Sequence, residues 1–141
     1  MPVMPKLTRF GVSIEEGLAA RFDAFLRAEG YGSRSEAIRD LIRKSLVEKE
    51  WAKGGRIAGG IGFVYDHHHR RIADRLTDLQ HEYRHVVIST QHVHLDHDNC
   101  MEMVTVKGEA RRIEALFNAI KSTKGVKHAG IVRTTTGHGM D

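Results

Sequence analysis

Val86-Val87-Ile88-Ser89-Thr90-Gln91-His92-Val93-His94-Leu95-Asp96-His97-Asp98-Asn99-Cys100-Met101-Glu102-Met103-Val104-Thr105-Val106-Lys107 reads as two strands joined by a tight turn. Val86 to Leu95 is rich in β-branched residues. From Cys100 to Lys107, Met101, Met103 and Thr105 alternate with Glu102, Val104 and Val106, the period of a strand. Asp96 to Asn99 supplies the turn, with an Asp-Asn dipeptide suited to it. A strand sends residues i and i+2 to one face, so the imidazoles of His92 and His94 point the same way. The turn returns Cys100 to their neighbourhood. Two imidazoles and a thiolate make a borderline-soft donor set suited to zinc, nickel or copper. The plain rival reading is a surface strand that happens to carry two histidines.

Elements of alternating type surround this hairpin. Ile61 to Tyr65 reads as a strand. A helix follows from about Arg70, with Ile72, Leu76, Leu79 and Tyr83 on one face. Beyond the hairpin, Ile113, Leu116, Phe117 and Ile120 mark a second helix, Gly125 breaks it, and Val126 to Thr134 reads as a last strand. The order β-α-β-β-α-β over 61–134 is the split βαβ, ferredoxin-like arrangement. Upstream, five of the ten residues of 53–62 are glycine, which predicts a linker and a domain boundary.

The first part, 7–52, reads strand, helix, helix. Phe10, Val12 and Ile14 alternate with Arg9, Gly11 and Ser13. Ser13 and Glu16 have the spacing of a capping box, as do Ser33 and Glu36. Leu18, Phe22, Phe25 and Leu26 form one apolar stripe, Gly30 supplies a left-handed stop, and Ala37, Ile38, Leu41, Ile42 and Leu46 form a second stripe. About fifty residues of this kind cannot bury both stripes alone, and a lone strand needs its backbone groups paired. An intertwined dimer with a two-stranded antiparallel ribbon is the economical solution. Arg9 and Ser13 on such a ribbon are donors able to read base edges in a major groove. The N–H groups at the start of the second helix are placed to hold a phosphate.

Composition narrows the classes. The chain has 141 residues, 40% hydrophobic and 28% charged, enough for a packed core and too few like charges for wholesale disorder. No apolar run has transmembrane length and no signal stretch opens the chain, so a cytoplasmic location is expected. One cysteine excludes an internal disulfide. The net charge of +4 favours an anionic partner, although residues 1–50 hold 9 Lys and Arg against 8 Asp and Glu and form no basic patch alone. Ten histidines, most of them between His67 and His97, are the count that needs explaining. The triplet His67-His68-His69 falls at a strand-to-helix junction, where a solvated loop is the simplest account. His81 and His85 stand i, i+4 on a helix; that spacing is able to chelate a metal, yet alone it favours exposed helix residues.

Two segments together carry a resemblance. Gly30-Tyr31-Gly32-Ser33-Arg34-Ser35-Glu36-Ala37-Ile38-Arg39-Asp40 resembles the inter-helix turn of ribbon-helix-helix repressors. With the segment from His92 to Glu102, the chain resembles the nickel-responsive regulator family, NikR, over about residues 7 to 134. The resemblance implies an α+β chain: a ribbon-helix-helix dimerisation and DNA-binding part, then an ACT-type ferredoxin-like domain that tetramerises. It implies Ni(II) in a planar site of three His and one Cys. His92, His94 and Cys100 would come from one subunit. Thr77-Asp78-Leu79-Gln80-His81 resembles the segment that supplies the fourth ligand from a neighbour, which makes His81 that ligand. Tyr65 and Glu102 match positions that orient the ligands. Glu36 and Asp40 match residues that hold a potassium ion in the DNA-bound form. Arg9, Gly11, Ser13, Ser33 and Arg34 match the DNA-contacting positions, with Gly11 standing where a hydroxyl is common. The His67 to His69 triplet is richer in imidazole than is usual there, which makes it a candidate accessory metal site.

The expectation is a homotetrameric, nickel-dependent repressor of nickel-uptake genes that binds a palindromic double-stranded operator. No catalytic role is implied, because four protein ligands leave no open position for a substrate. Two rivals stand beside it: a zinc- or copper-handling storage or chaperone protein, and an ACT-type small-molecule sensor with incidental histidines.

Overall fold

The computed structural model describes residues 2–141. They fall into two units, one running to Ser45 and including Gly139–Asp141, the other Leu46–His138.

In the first unit, helix α1 spans Glu16–Glu29 and helix α2 spans Arg34–Lys53, its last turns belonging to the second unit. The residue before α1 is Glu15, and no side chain caps the helix. The Ser13–Glu16 capping box is therefore not formed: Ser13 lies two positions too early for its hydroxyl to reach the free N–H groups of the first turn. The second box is half formed. The Glu36 N–H donates to Ser33 Oγ at 3.2 Å, while the Glu36 carboxylate accepts from the Gly32 N–H at 3.0 Å. Gly30 ends α1 at φ 77°, and the Tyr31 N–H closes the turn on the Leu26 carbonyl at 3.0 Å. A left-handed residue here is what the sequence reading required of this glycine.

The strand expected from Leu7 to Ile14 is not formed. Residues 2–15 have no regular secondary structure, and Phe10 and Val12 are 71% and 62% exposed. The physical reason is the one that made a dimer economical: a lone strand in a single chain has no partner for its backbone groups.

The second unit carries strand β1 (Arg56–Asp66), helix α3 (Ile72–Glu82), strands β2 (Val87–His94) and β3 (Asn99–Glu109), helix α4 (Ala110–Lys121) and strand β4 (Val126–Thr134). The sheet is antiparallel in the order β2-β3-β1-β4, the ferredoxin-like topology expected. Strand residues alternate strictly: Ile57, Ile61, Phe63 and Tyr65 of β1 join Cys100, Val104 and Val106 of β3 in a core closed by Ile72 and Leu76 of α3 and Ile113, Leu116 and Ile120 of α4.

The linker expected over 53–62 is corrected here. β1 begins at Arg56, so only Gly54 and Gly55 separate it from α2, and Gly59, Gly60 and Gly62 sit in a strand paired on both sides. Crowding explains the composition at Gly59. A Cβ there would lie 2.5 Å from the Val132 carbonyl oxygen and 3.5 Å from the Trp51 ring. A strand glycine marks such a close approach as readily as a loop glycine marks a hinge. The Trp51 indole N–H in turn donates to the Thr134 carbonyl at 3.0 Å, tying the last turn of α2 to the end of β4.

Candidate metal centre

The turn between β2 and β3 sets the register of the site. Asp96 Oδ1 accepts the N–H groups of Asp98 at 2.9 Å and Asn99 at 2.8 Å, and the Leu95 N–H donates to the Asn99 carbonyl at 2.9 Å. Bonds from the Asn99 side chain, then from the Asn99 and Asp98 N–H groups, hold the Asp96 carboxyl below the usual carboxylate range. The turn so closed places His94 opposite Cys100 and His92 opposite Glu102, while β1 puts Tyr65 opposite Cys100 from the other side.

Cys100 is fully buried. Its Sγ lies 3.3 Å from His94 Nδ1 and 3.6 Å from His67 Nδ1. Burial, followed by the negative charges of Glu102, Asp96 and Asp66, pushes the thiol pKa up. His92 sits one pleat along, with Nδ1 3.3 Å from the Tyr65 hydroxyl and 3.7 Å from Glu102 Oε1. Burial raises the Glu102 pKa against the pull of His92, and Glu102 Oε2 is buried with no partner. Burial, then the charges of Glu102 and Cys100, pushes Tyr65 up to about 12. A buried thiol between two imidazole nitrogens, with an unsatisfied carboxylate oxygen close by, is a donor set that fits a borderline divalent ion.

Of the expected ligands, the structure brings His94 and Cys100 together. His92 is turned to Tyr65 and Glu102 instead, and His81, exposed on α3, joins neither cluster of ligand atoms found among the described residues. The residue that completes the single-chain cluster is His67, read from sequence as part of a solvated loop. The pairing of Asp66 with Asn99 carries β1 to within one residue of Cys100, so His67 emerges beside the thiol. Continuing the strand pairing past Tyr65 would have found it.

The other expected residues lie in the first unit. Arg9, Gly11 and Ser13 are exposed in the irregular N-terminal segment. Ser33 caps α2. Arg34, expected to face DNA, is instead held in a two-pronged ion pair by the Asp23 carboxylate at 2.8 Å. Glu36 and Asp40 stand one turn apart on α2, but Asp40 accepts from the Tyr31 hydroxyl and lies 3.7 Å from Lys44 Nζ. Each carboxylate therefore has a local partner in the single chain. Among the described residues, no helix is long and apolar enough to cross a membrane.

Comparison with known proteins agrees with this division. Residues 8–49 match the family described as ribbon-helix-helix protein, copG family, and residues 58–134 match the NikR C terminal nickel binding domain. A protein of Chlorobaculum tepidum named "Putative nickel-responsive regulator" is 54% identical over 125 residues, covering 89% of this chain and 93% of that protein. A protein of the same name from Syntrophus aciditrophicus is 48% identical over 128 residues, covering 91% and 93%. An uncharacterized protein of Thermotoga maritima, 13% identical with a TM-score of 0.50, covers 55% of this chain and 95% of its own and shares the fold alone. A ribbon-helix-helix part followed by a ferredoxin-like part in which a buried cysteine meets two histidines defines a metal-responsive, DNA-binding regulator. The chain belongs to the NikR family of nickel-responsive regulators, and it is a transcription regulator, not an enzyme.

Proposed function

We propose that the chain represses nickel-uptake genes in the cytoplasm by binding a palindromic operator as a nickel-loaded homotetramer. The observation that carries this reading is Cys100, buried at 3.3 Å from His94 across a hairpin, in a chain whose residues 8–49 match the ribbon-helix-helix family. Ni(II) would be held by His92, His94 and Cys100 of one chain and His81 of a neighbour. Tyr65 and Glu102 would orient His92, with which both already make contact. The ion supplies a bond between chains, and the protein supplies the consequence of that bond.

Two uncovered apolar regions support assembly. In the first unit Phe10, Val12, Leu18 and Ile42 are exposed, as the face of a ribbon dimer would be before its partner arrives. On the open face of the sheet, Met103 and Val132 are exposed beside Gly60 and Gly62, leaving a low surface on which a second sheet could rest. Arg9, Gly11 and Ser13 would meet the bases once paired with a second chain, and Ser33 and Arg34 would meet the backbone, Arg34 by exchanging Asp23 for phosphate. Glu36 and Asp40 would hold K+ in the DNA-bound form.

An electrophoretic mobility shift across a metal series tests the reading, using the promoter of a nickel transporter gene. Nickel is expected to give a discrete complex that the metal-free protein does not form. Metal uptake with no shift for any metal would favour a zinc- or copper-handling protein, and a shift indifferent to metal would end the reading.

A further inference from the structure

Where α2 begins, the chain's own carboxylates occupy donors that a DNA phosphate would use. Glu36 Oε2 accepts the Gly32 N–H at 3.0 Å. Asp23, on α1, takes both prongs of Arg34, Nε on Oδ1 and Nη2 on Oδ2, each at 2.8 Å. Arg34 is the first residue of α2, and a helix start favours negative charge. The bond from Arg34, ahead of any other cause, holds the Asp23 carboxyl below its usual range, so it stays ionised at neutral pH. A carboxylate and a phosphate present the same pair of oxygens to a guanidinium, and either is taken by two parallel N–H bonds. Asp23 therefore stands where a phosphate group would. The pair is reachable from solvent, with the Arg34 side chain 63% exposed and that of Asp23 35%. Exposed pairs of this kind add little to stability, so a phosphate can replace the carboxylate without opening the fold.

We propose that Asp23 is an internal competitor for DNA: it holds Arg34 until a phosphate displaces it, and so limits how tightly the chain binds duplexes of any sequence. This rests on the reading that Arg34 meets the DNA backbone. Charge gives Asp23 its weight. Residues 1–50 hold 9 Lys and Arg against 8 Asp and Glu, so loss of this one carboxylate leaves 9 against 7. When phosphate takes Arg34, Asp23 is left beside it as an unpaired like charge. The exchange trades one charge-assisted pair for another and releases few counterions. Backbone contacts carry no sequence information, so the restraint falls equally on operator and random DNA. A regulator meets random DNA in large excess, and weak backbone binding leaves the base contacts to decide where it stays.

Binding of the nickel-loaded full-length protein to an operator duplex and to a random duplex, followed by fluorescence anisotropy over a range of salt, tests the proposal. Asp23→Asn is expected to tighten both by a similar factor, several-fold at low salt. It should also steepen the fall of log K with log salt by about 0.9 for each chain in contact with DNA. Asp23→Glu, which keeps the charge, should stay near the parent slope. Circular dichroism checks the fold of each variant, and Asp23→Ser replaces Asp23→Asn where the latter fails that check. Arg34→Ala tests the backbone contact itself. If it leaves affinity and salt slope unchanged, Arg34 does not meet the backbone, and the reading and the proposal fall together. If Arg34→Ala weakens binding while Asp23→Asn weakens it too, or keeps the parent slope, Asp23 positions Arg34 rather than competing for it, and the proposal alone is overturned.

Discussion

The two parts of the chain treat their apolar side chains in opposite ways. From Leu46 onward, Ile61, Val106, Ile113, Leu116 and Ile120 are completely buried, and one chain closes its own core. Up to Ser45, Leu26 and Ala37 are buried while Phe10, Val12, Leu18, Leu41 and Ile42 remain exposed. Both parts carry well-patterned apolar residues, so the difference is not in composition. Four paired strands and two helices satisfy each other, whereas two helices and an unpaired segment do not. In a single chain the second part closes its own core, and the first leaves much of its apolar stripe uncovered.

Substitutions at matched positions put that contrast to a direct test. Leu116→Ala should cost about 2–5 kcal/mol in urea unfolding. Phe10→Ala should act mainly on assembly, with an effect that fades as protein concentration rises. If Phe10→Ala lowered stability equally at all concentrations, the N-terminal segment would belong to a self-sufficient unit.

Gly59→Ala sharpens the boundary between the parts. The added Cβ would meet the Val132 carbonyl at 2.5 Å, and relieving such overpacking costs about 1–3 kcal/mol. A neutral or stabilising result would return residues 53–62 to the role of a flexible linker.

Arg9→Ala should leave nickel binding unchanged and cost about 1–3 kcal/mol of discrimination between matched and mismatched operators if the ribbon reads a base there. Titration of fluorescent duplexes measures it. Undiminished selectivity would remove Arg9 from the reading surface.

Where local pattern and tertiary pairing agreed, the sequence was sufficient. The Asp96–Asn99 turn, the α4 stripe and the β-α-β-β-α-β order all follow from periodicity and turn chemistry, and the structure has them. It misled where one residue type serves two physical ends. Gly59, Gly60 and Gly62 read as hinge because loops favour glycine, yet here the backbone of β4 comes too close for a side chain at Gly59. Ser13 and Glu16 have capping spacing, but helix α1 starts at Glu16 and its cap position falls to Glu15. Arg34 looked free because its partner, Asp23, comes from the preceding helix and no local pattern announces it. His67 was missed for the same kind of reason: its place beside Cys100 comes from the strand pairing between β1 and β3, a long-range fact. Of the single-chain cluster, His94 and Cys100 were legible in the hairpin and His67 was not.

That membership is the point on which the account stands, since His67 and His92 compete for a place beside His94 and Cys100. Nickel titrations of operator binding by His92→Ala and His67→Ala, against the parent on a duplex selected with nickel-loaded protein, decide between them. The account predicts that His92→Ala keeps weak DNA binding that nickel no longer strengthens, because its ribbons are intact but its sensor is not. It predicts that His67→Ala keeps the nickel response, with operator DNA raising nickel affinity by the same factor that nickel raises DNA affinity. A full nickel response in His92→Ala, with its loss in His67→Ala, would contradict the account and make the single-chain cluster of His67, His94 and Cys100 the sensor.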